Sequence, residues 1–526
     1  MLKFIDVFRP MAWSALLIVL SLSACSRPEQ KKATTAEPEK PEAAAPDPAT
    51  SIGVNLAGAE FGPTDGKYGQ AYIYPGAKSF DYFKSQNMRV IRLPFKWERL
   101  QPALMGPFDE AELSRMDQVV ELARQRDMLL LMDLHNYARY RGKLIGTDEV
   151  PNAAFADFWR RFAEHYKDEP AVWAYGIMNE PHGTKGLWPA AAQAAVDAIR
   201  RVDMHHVITV CGDAWSGAHS WRKYNDDLNI HDPADNFLYE AHQYFDHNNS
   251  GTYQKPYDAD GAGPDTGVKR LQPFITWLKE RNARGFIGEF GVPAYDPRWL
   301  VVLDNFLAEM KANNLGGTYW AAGPWWGYSP LSVEPVDGIE RPQMQVLAWY
   351  AGHRTRPAEA AVDMSYIPPK STPGMIQFSH DKPYTYKNDA SEIKLSQVPA
   401  NQHLVRCVNF KHRGNPAWVG FGVYYGKLDC KDFDAFELTV RADAPCKIGL
   451  SAYLVKDTRY NADVEVGTDW QTLVIPFSQF KNKDGKPLDP AAAPVEKVSF
   501  QPNITDASRA KQGNNLYLDI FRPIRQ

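Results

Sequence analysis

A (β/α)8 TIM barrel followed by a C-terminal all-β, jelly-roll-like sandwich is the fold this sequence predicts, on three observations. From residue 51 to 352, short apolar runs alternate with stretches whose apolar residues recur near helical spacing, the pattern of parallel βα units. Eight such runs fall within roughly 300 residues, the size of one closed barrel. After Tyr350 a Pro-containing connector, 353–373, leads into 374–526, where helical stretches become few and strand-like runs take over. A chain of 526 residues can give each part a core of its own.

The barrel strands are expected at 52–56, 89–93, 128–134, 172–178, 207–211, 237–241, 286–289 and 317–320, and helices at 109–125, 153–166, 190–202, 267–281 and 296–313. The fourth strand is the most informative. Its β-branched and aromatic run stops at Asn179-Glu180, and Pro181 forbids the strand from continuing. A carboxyl group and a neutral amide thereby arrive side by side at the mouth of a sheet. A second carboxylate, Glu289, closes the seventh run in the same way. Two strand-end glutamates, one partnered by Asn, are what retaining glycoside hydrolysis requires.

Barrels of this kind carry their functional groups at the C-terminal ends of the strands. The second run supplies Arg92, the third His135 and the fourth Asn179 with Glu180. The sixth supplies His242 and Tyr244, the seventh Glu289 and the eighth Trp320. Six segments converging on one mouth with complementary chemistry point to a site rather than to scattered structural residues.

Asn179-Glu180-Pro181 after an apolar strand resembles the signature of glycoside hydrolase family 5, cellulase family A. So do Asn55-Leu-Ala-Gly-Ala-Glu-Phe61, Ile91-Arg-Leu-Pro-Phe-Lys-Trp97, Tyr239-Glu-Ala-His-Gln-Tyr-Phe245 and Gly288-Glu-Phe-Gly291. Together they are most similar to its bacterial and fungal endo-β-1,4-glucanase branch. The resemblance, over about 52–352, implies Glu180 as general acid/base and Glu289 as nucleophile. It implies Arg92, His135, Asn179, His242, Tyr244 and Trp320 as supporting and substrate-binding groups. Trp97, Trp215, Trp221, Trp325 and Trp326 are candidates for further sugar subsites, Trp325-Trp326 above all because they stand in a Gly/Pro-rich loop. No cofactor is implied, and no Cys/His spacing announces a metal site.

The expected reaction is retaining endo-hydrolysis of β-1,4-glucan, polymer or oligosaccharide. The alternatives are another β-glycan (mannan, mixed-linkage or β-1,3-glucan) and, in a different class, a catalytically inactive glycan-binding lipoprotein. A formal charge of −4 gives nucleic acid no electrostatic foothold. Aromatic residues at 12 % suit sugar faces as well as a core. A monomer is expected.

Residues 1–25 are expected to be a targeting segment. Lys3 and Arg9 precede an apolar run, 11–22, which is short of the roughly 20 residues that span a bilayer. Leu22-Ser-Ala-Cys25 resembles a bacterial lipobox, implying lipidation of Cys25 and a membrane anchor. Ser26 after the cysteine favours the outer membrane of a Gram-negative cell. Residues 26–50, rich in Ala, Pro, Glu and Lys, are expected to be a flexible tether. Export implies an oxidising compartment in which Cys211, Cys407, Cys430 and Cys446 could pair, with no pairing readable from sequence.

In the C-terminal part, 437–441, 447–454, 472–475, 497–501 and 516–521 read as strands. Trp470-Gln-Thr-Leu-Val-Ile-Pro-Phe-Ser-Gln-Phe480 resembles a phrase of jelly-roll carbohydrate-binding modules. Trp418, Tyr424, Tyr425, Tyr453 and Tyr460 are the candidates for a glucan-binding face, and a purely buttressing sandwich is the alternative.

Overall fold

The computed structural model describes residues 47–525 apart from 256, 295, 328, 337, 357–361, 363–374, 379–382, 401–402, 414–417, 456–457 and 504–512. The targeting segment with Cys25, the tether to residue 46 and most of the connector therefore lie outside the described residues. Residues 47–50, placed by sequence in the tether, instead begin the barrel. Asp47 caps a 3-10 turn, Pro48–Thr50, by accepting from the Ala49 backbone N–H. Ala49 is buried with Val90, Leu131, Ala174, Leu238 and Phe286, a small apolar cluster separate from the main barrel core.

Eight parallel strands close the barrel: β1 (Ile52–Leu56), β2 (Val90–Phe95), β3 (Leu129–Leu134), β6 (Val172–Gly176), β7 (Val207–Cys211), β8 (Phe237–His242), β9 (Gly285–Phe290) and β10 (Gly316–Ala322). A two-rung hairpin, β4 (Arg139–Tyr140) and β5 (Lys143–Leu144), sits in the loop after β3. All eight expected runs are strands. The fourth ends at Gly176, earlier than expected, yet the Asn179 N–H still donates to the Leu134 carbonyl at 2.9 Å. Asn179 and Glu180 thus stand just past the strand end.

The five expected helices are α3 (Glu110–Arg124), α4 (Asn152–Tyr166), α5 (Trp188–Arg200), α8 (Thr266–Glu280) and α9 (Pro297–Ala312). Each buries one apolar stripe against the strands. Five more were not anticipated: α1 (Ala77–Ser85), α10 (Gln343–Tyr350) and the one-turn α2 (Trp97–Leu100), α6 (Trp221–Tyr224) and α7 (Tyr257–Asp260). Among the described residues no helix is long and apolar enough to cross a membrane.

The C-terminal region is two antiparallel sheets. One runs β13 (Glu392–Ala400), β14 (His403–Lys411), β21 (Asn514–Ile524), β16 (Ala435–Ala442), β19 (Gln471–Pro476), with β11 (Ile376–Gln377) paired to β21. The other runs β12 (Tyr384–Lys387), β15 (Val419–Leu428), β20 (Val495–Asn503), β17 (Cys446–Leu454), β18 (Thr458–Val466). Phe421, Phe500 and Leu450 of the second sheet meet Phe436, Leu438 and Phe521 of the first in one apolar core, distinct from that of the barrel. Tyr460 belongs to this core and Tyr425 packs against it, so neither serves the glucan-binding face for which sequence proposed them. A buried hydrogen bond from Arg341 to Gln397 links barrel and sandwich. Cys211, Cys407, Cys430 and Cys446 are all buried free thiols.

The loop after β1 holds a buried acid. Glu60 accepts from the Gly58 N–H at 2.7 Å through Oε2, while Oε1 has no hydrogen-bond partner among the described residues. Burial pushes its carboxyl up from 4.5 to about 7. A raised folded value stabilises most below the unfolded one, so this contribution is full below pH 4.5 and lost as pH rises through 7. Glu60→Gln should therefore leave stability at pH 4 nearly unchanged and raise it at pH 8 by about 1–3 kcal/mol, read by urea unfolding at both pH values. An equal change at both would remove the titration from the account.

Candidate active site

Strand register builds the site from residues far apart in sequence. Asn55 of β1 is paired with Arg92 of β2, and His242 of β8 with Glu289 of β9. Arg92, fully buried, lies at the centre. Its Nη1 donates to Asn55 Oδ1 and Glu289 Oε1, both at 3.0 Å, and its Nη2 to Asn179 Oδ1 at 2.8 Å. Ion pairs at 2.9 and 3.0 Å join the same guanidinium to Asp133 and Glu240. Burial alone would depress Arg92, but Asp133, Glu240 and Glu289 reverse that and hold it above its usual value.

Glu289 is held at both oxygens. Oε1 accepts from Arg92 and Oε2 accepts from the Tyr244 hydroxyl at 2.8 Å. Burial and the Glu289 charge raise Tyr244 well above the usual phenol range, so the hydroxyl keeps its proton and remains a donor. Gly288, just before Glu289, admits the neighbouring carboxylate. A Cβ there would stand 1.9 Å from Glu240 Oε1.

Glu180 is held differently, with its side chain 17 % exposed. Its backbone has φ +43°, a left-handed conformation that costs a non-glycine residue on the order of 1–3 kcal/mol. Oε1 lies 2.9 Å from His242 Nδ1, and the Nε2 of that ring is 3.2 Å from Glu240 Oε1. Burial opposes the imidazolium, but Glu289 and the hydrogen bonds with Cys211, Glu180 and Glu240 outweigh it and raise His242 well above 6.5. His242 is thus a charged bridge, donating to Glu180 and Glu240. An oxygen of Glu180, one of Glu289 and a nitrogen of His242 all lie within 4.8 Å of one another.

His135 has the opposite electrostatics. Burial holds it well below the usual range, so it is neutral. Nδ1 contacts Asp133 Oδ2 at 2.8 Å, which leaves Nε2 to accept from Asn179 Nδ2 and the Tyr137 hydroxyl, each at 3.2 Å. Trp320 stacks on the His135 ring at 5.6 Å and 18°. All eight residues expected at the mouth of the barrel are brought together.

Asn55, Asp133, Tyr137 and Glu240 were not anticipated. Asp133 and Glu240 lie two residues before His135 and His242, and period-two spacing along a strand puts such pairs on one face. That signal was available. The two acids behave oppositely while sharing Arg92. Burial raises Asp133, whereas Arg92 and His242 overcome burial at Glu240 and lower it. Barrel closure also gathers Cys211, Glu240 and His242 within 4.8 Å, donors already engaged with Arg92, Thr209 and one another.

Beside Glu180 opens a cleft of about 710 Å³, whose lining includes Tyr137, Trp215, Lys223, Tyr224 and His242. Trp215 is 56 % exposed and stacks on His182 at 4.6 Å and 9°, a flat ring supported from beneath. Three consecutive left-handed residues, Ala214, Trp215 and Ser216, carry it. Trp325 is exposed, and Trp326 meets Trp320 edge-on at 5.8 Å. Trp97 and Trp221 correct the subsite expectation. Trp97 is buried among Tyr140, Phe155 and Phe158, and Trp221 among Phe274, Trp277 and Tyr239, so neither ring reaches a cleft. Both open one-turn helices that fold the ring inward.

The family described as "Cellulase (glycosyl hydrolase family 5)" matches residues 48–325. Endo-beta-1,4-glucanase B of Aspergillus niger is 35 % identical over 295 residues, which is 55 % of this chain and 86 % of that protein. The crystal structure of Pseudomonas stutzeri endoglucanase Cel5A in complex with cellobiose is 41 % identical with a TM-score of 0.56, covering 61 % of this chain and 96 % of that one. An endo-beta-1,4-glucanase from Xanthomonas axonopodis pv. citri is 38 % identical with a TM-score of 0.55, covering 58 % and 98 %. The chain belongs to the cellulase family, glycosyl hydrolase family 5.

Proposed function

We propose that this protein is a retaining endo-β-1,4-glucanase in which Glu289 is the nucleophile and Glu180 the acid/base. One observation carries the mechanism. Oxygens of the two carboxyls approach within 4.8 Å. Retaining sites keep these groups about 5–5.5 Å apart, whereas inverting sites need about 6.5–9.5 Å to admit a water. The relatives named as endo-β-1,4-glucanases support the linkage.

In the first step Glu289 attacks the anomeric carbon while Glu180 gives its proton to the departing glycosidic oxygen. Arg92 and Tyr244 donate to the two oxygens of Glu289 and aim it. In the second step Glu180, now a carboxylate, takes a proton from water. The oxygen of that water displaces Glu289 from the anomeric carbon and restores the β-configuration. Asn179 has one amide hydrogen directed at His135 and a second available for the sugar 2-hydroxyl. Trp320 is the platform for the reacting ring, and Trp215 on its His182 support is a platform on the leaving-group side.

We read residues 1–25 as the lipoprotein signal, with Cys25 anchoring the enzyme to a membrane, and the sandwich as a glycan-binding module. The deciding assay incubates protein lacking residues 1–25 with carboxymethylcellulose, mannan, lichenan and laminarin and follows product anomers by NMR. Fastest turnover of the β-1,4-glucan with β-anomers first is expected. Initial α-anomers would sink the retaining mechanism, preference for mannan or laminarin would shift the substrate, and no turnover would favour a binding protein.

A further inference from the structure

We propose that the outer face of the β12-β15-β20-β17-β18 sheet is the glycan site of the sandwich, taking one uncharged β-linked glucan chain across its strands. The proposal rests on the reading of the sandwich as a glycan-binding module and specifies where that module binds.

Register assembles the face. One cross-strand row is Tyr384, Gly422, Ser499, Ser451 and Asn461, and the next is Tyr424, Lys497, Tyr453 and Arg459. Alternation along each strand puts these rows opposite the buried Phe421, Phe500 and Leu450. At one end the rings form a terrace. Tyr384 and Tyr424 are 4.8 Å apart at 36°, Tyr384 and Tyr386 6.2 Å at 33°, and Tyr386 and Trp418 6.1 Å at 35°. Tyr424 is 62 % and Trp418 38 % exposed. Partly to fully exposed rings in this tilted array offer apolar faces at little further ordering cost.

Glycines underlie that terrace. A Cβ on Gly420 would come within 2.4 Å of the Tyr386 ring, and one on Gly422 within 2.4 Å of the Tyr384 hydroxyl. Both rings therefore lie down on the sheet only because these positions are glycine. Glycine inside a strand weakens it and marks places of close approach. The next positions along the row, Ser499 and Ser451, are small and buried, Ser451 accepting from Arg459, and the exposed Asn461 ends the row. Four inter-strand steps of about 4.8 Å make the whole row roughly 19 Å across.

The polar chemistry suits hydroxyls rather than ions. Arg459 Nε donates to Ser451 Oγ and Asn461 Oδ1, and Ser451 Oγ donates to Asn461 Oδ1 at 2.9 Å. Lys447 pairs with Asp463 at 2.9 Å, and Lys497 lies over the Tyr453 ring at 4.5 Å. Rings, hydroxyls and an amide complement a neutral polyol chain. β-1,4-glucan, the proposed substrate of the barrel on the same chain, is the occupant with that chemistry.

The test uses the full chain carrying Glu289→Ala, so that glucan is bound but not consumed. Hydrogen–deuterium exchange with and without cellohexaose should show protection in β12, β15, β17 and β20. Protection elsewhere within 375–525 would overturn the face while leaving the module reading intact. Protection confined to 48–325 would overturn both and leave the catalytic reading standing. In parallel, adding Tyr384→Ala with Tyr424→Ala should weaken retention on insoluble cellulose roughly tenfold or more. Tyr517→Ala, on the other sheet, should change nothing. Unchanged turnover of an aryl cellobioside by the tyrosine variants with Glu289 intact checks that the barrel is undisturbed, and full retention by them would refute the proposal.

Discussion

Glu289→Ala is expected to lower kcat on cello-oligosaccharides by at least about 10⁵-fold, or roughly 7 kcal/mol of barrier. The carboxylate removed is the one whose oxygens accept from Arg92 and Tyr244, and among the described residues no other acid has that placement. Asp133 and Glu240 are tied to Arg92 through other edges of the guanidinium, and Glu180 is bound to His242. The substitution also leaves a hole on the side from which the nucleophile attacked. Azide with an activated aryl cellobioside should therefore restore turnover and give a glycosyl azide of inverted configuration. A β-configured azide, or activity within tenfold of the parent, would remove Glu289 from the nucleophile role. Folding should survive, because Arg92 keeps its other two buried carboxylate partners, Asp133 and Glu240. Near-UV circular dichroism checks this.

The second large effect depends on the leaving group. Glu180→Ala should reduce kcat/KM on cellotetraose by roughly 10²–10⁴-fold, the usual worth of a positioned general acid. On 2,4-dinitrophenyl cellobioside, whose leaving group needs no proton, kcat/KM should fall little. In that case kcat alone should collapse, because the glycosyl-enzyme now waits for a water with no base. Azide needs no deprotonation, so it should restore kcat and yield a product of retained configuration. Equal losses on both substrates would mean that Glu180 acts by position or binding. Glu180→Gln sharpens the comparison, since its amide oxygen can still accept from His242 Nδ1 while the proton carrier is gone. Full activity of that variant on cellotetraose would end the assignment.

The eight barrel strands and five principal helices were legible because their signals are local. An apolar run of β-strand length or an amphipathic stripe is written within a dozen residues. The sandwich was less legible. Five of its strands were expected, but β11, β12, β13, β14, β15 and β18 were not. β15 carries glycines at 420, 422 and 426, and β18 alternates polar and charged residues on its open side. Both features depress the apolar signal while the backbone pairing remains intact.

Within the site, local patterning reveals which side chains end the strands, and so names both glutamates, Arg92, Asn179, His135, His242, Tyr244 and Trp320. Tertiary structure alone decided how they are wired. Arg92 is shared among Asp133, Glu240 and Glu289, His242 becomes a cation and His135 stays neutral, although both histidines end strands. Those states follow from which charges the closed barrel places beside each ring, and closure joins residues 55 to 289 across register that no local pattern encodes. The tryptophans divide for the same reason. Trp97 and Trp221 are interior while Trp215 and Trp325 face solvent, because an indole buries or binds according to what folds over it.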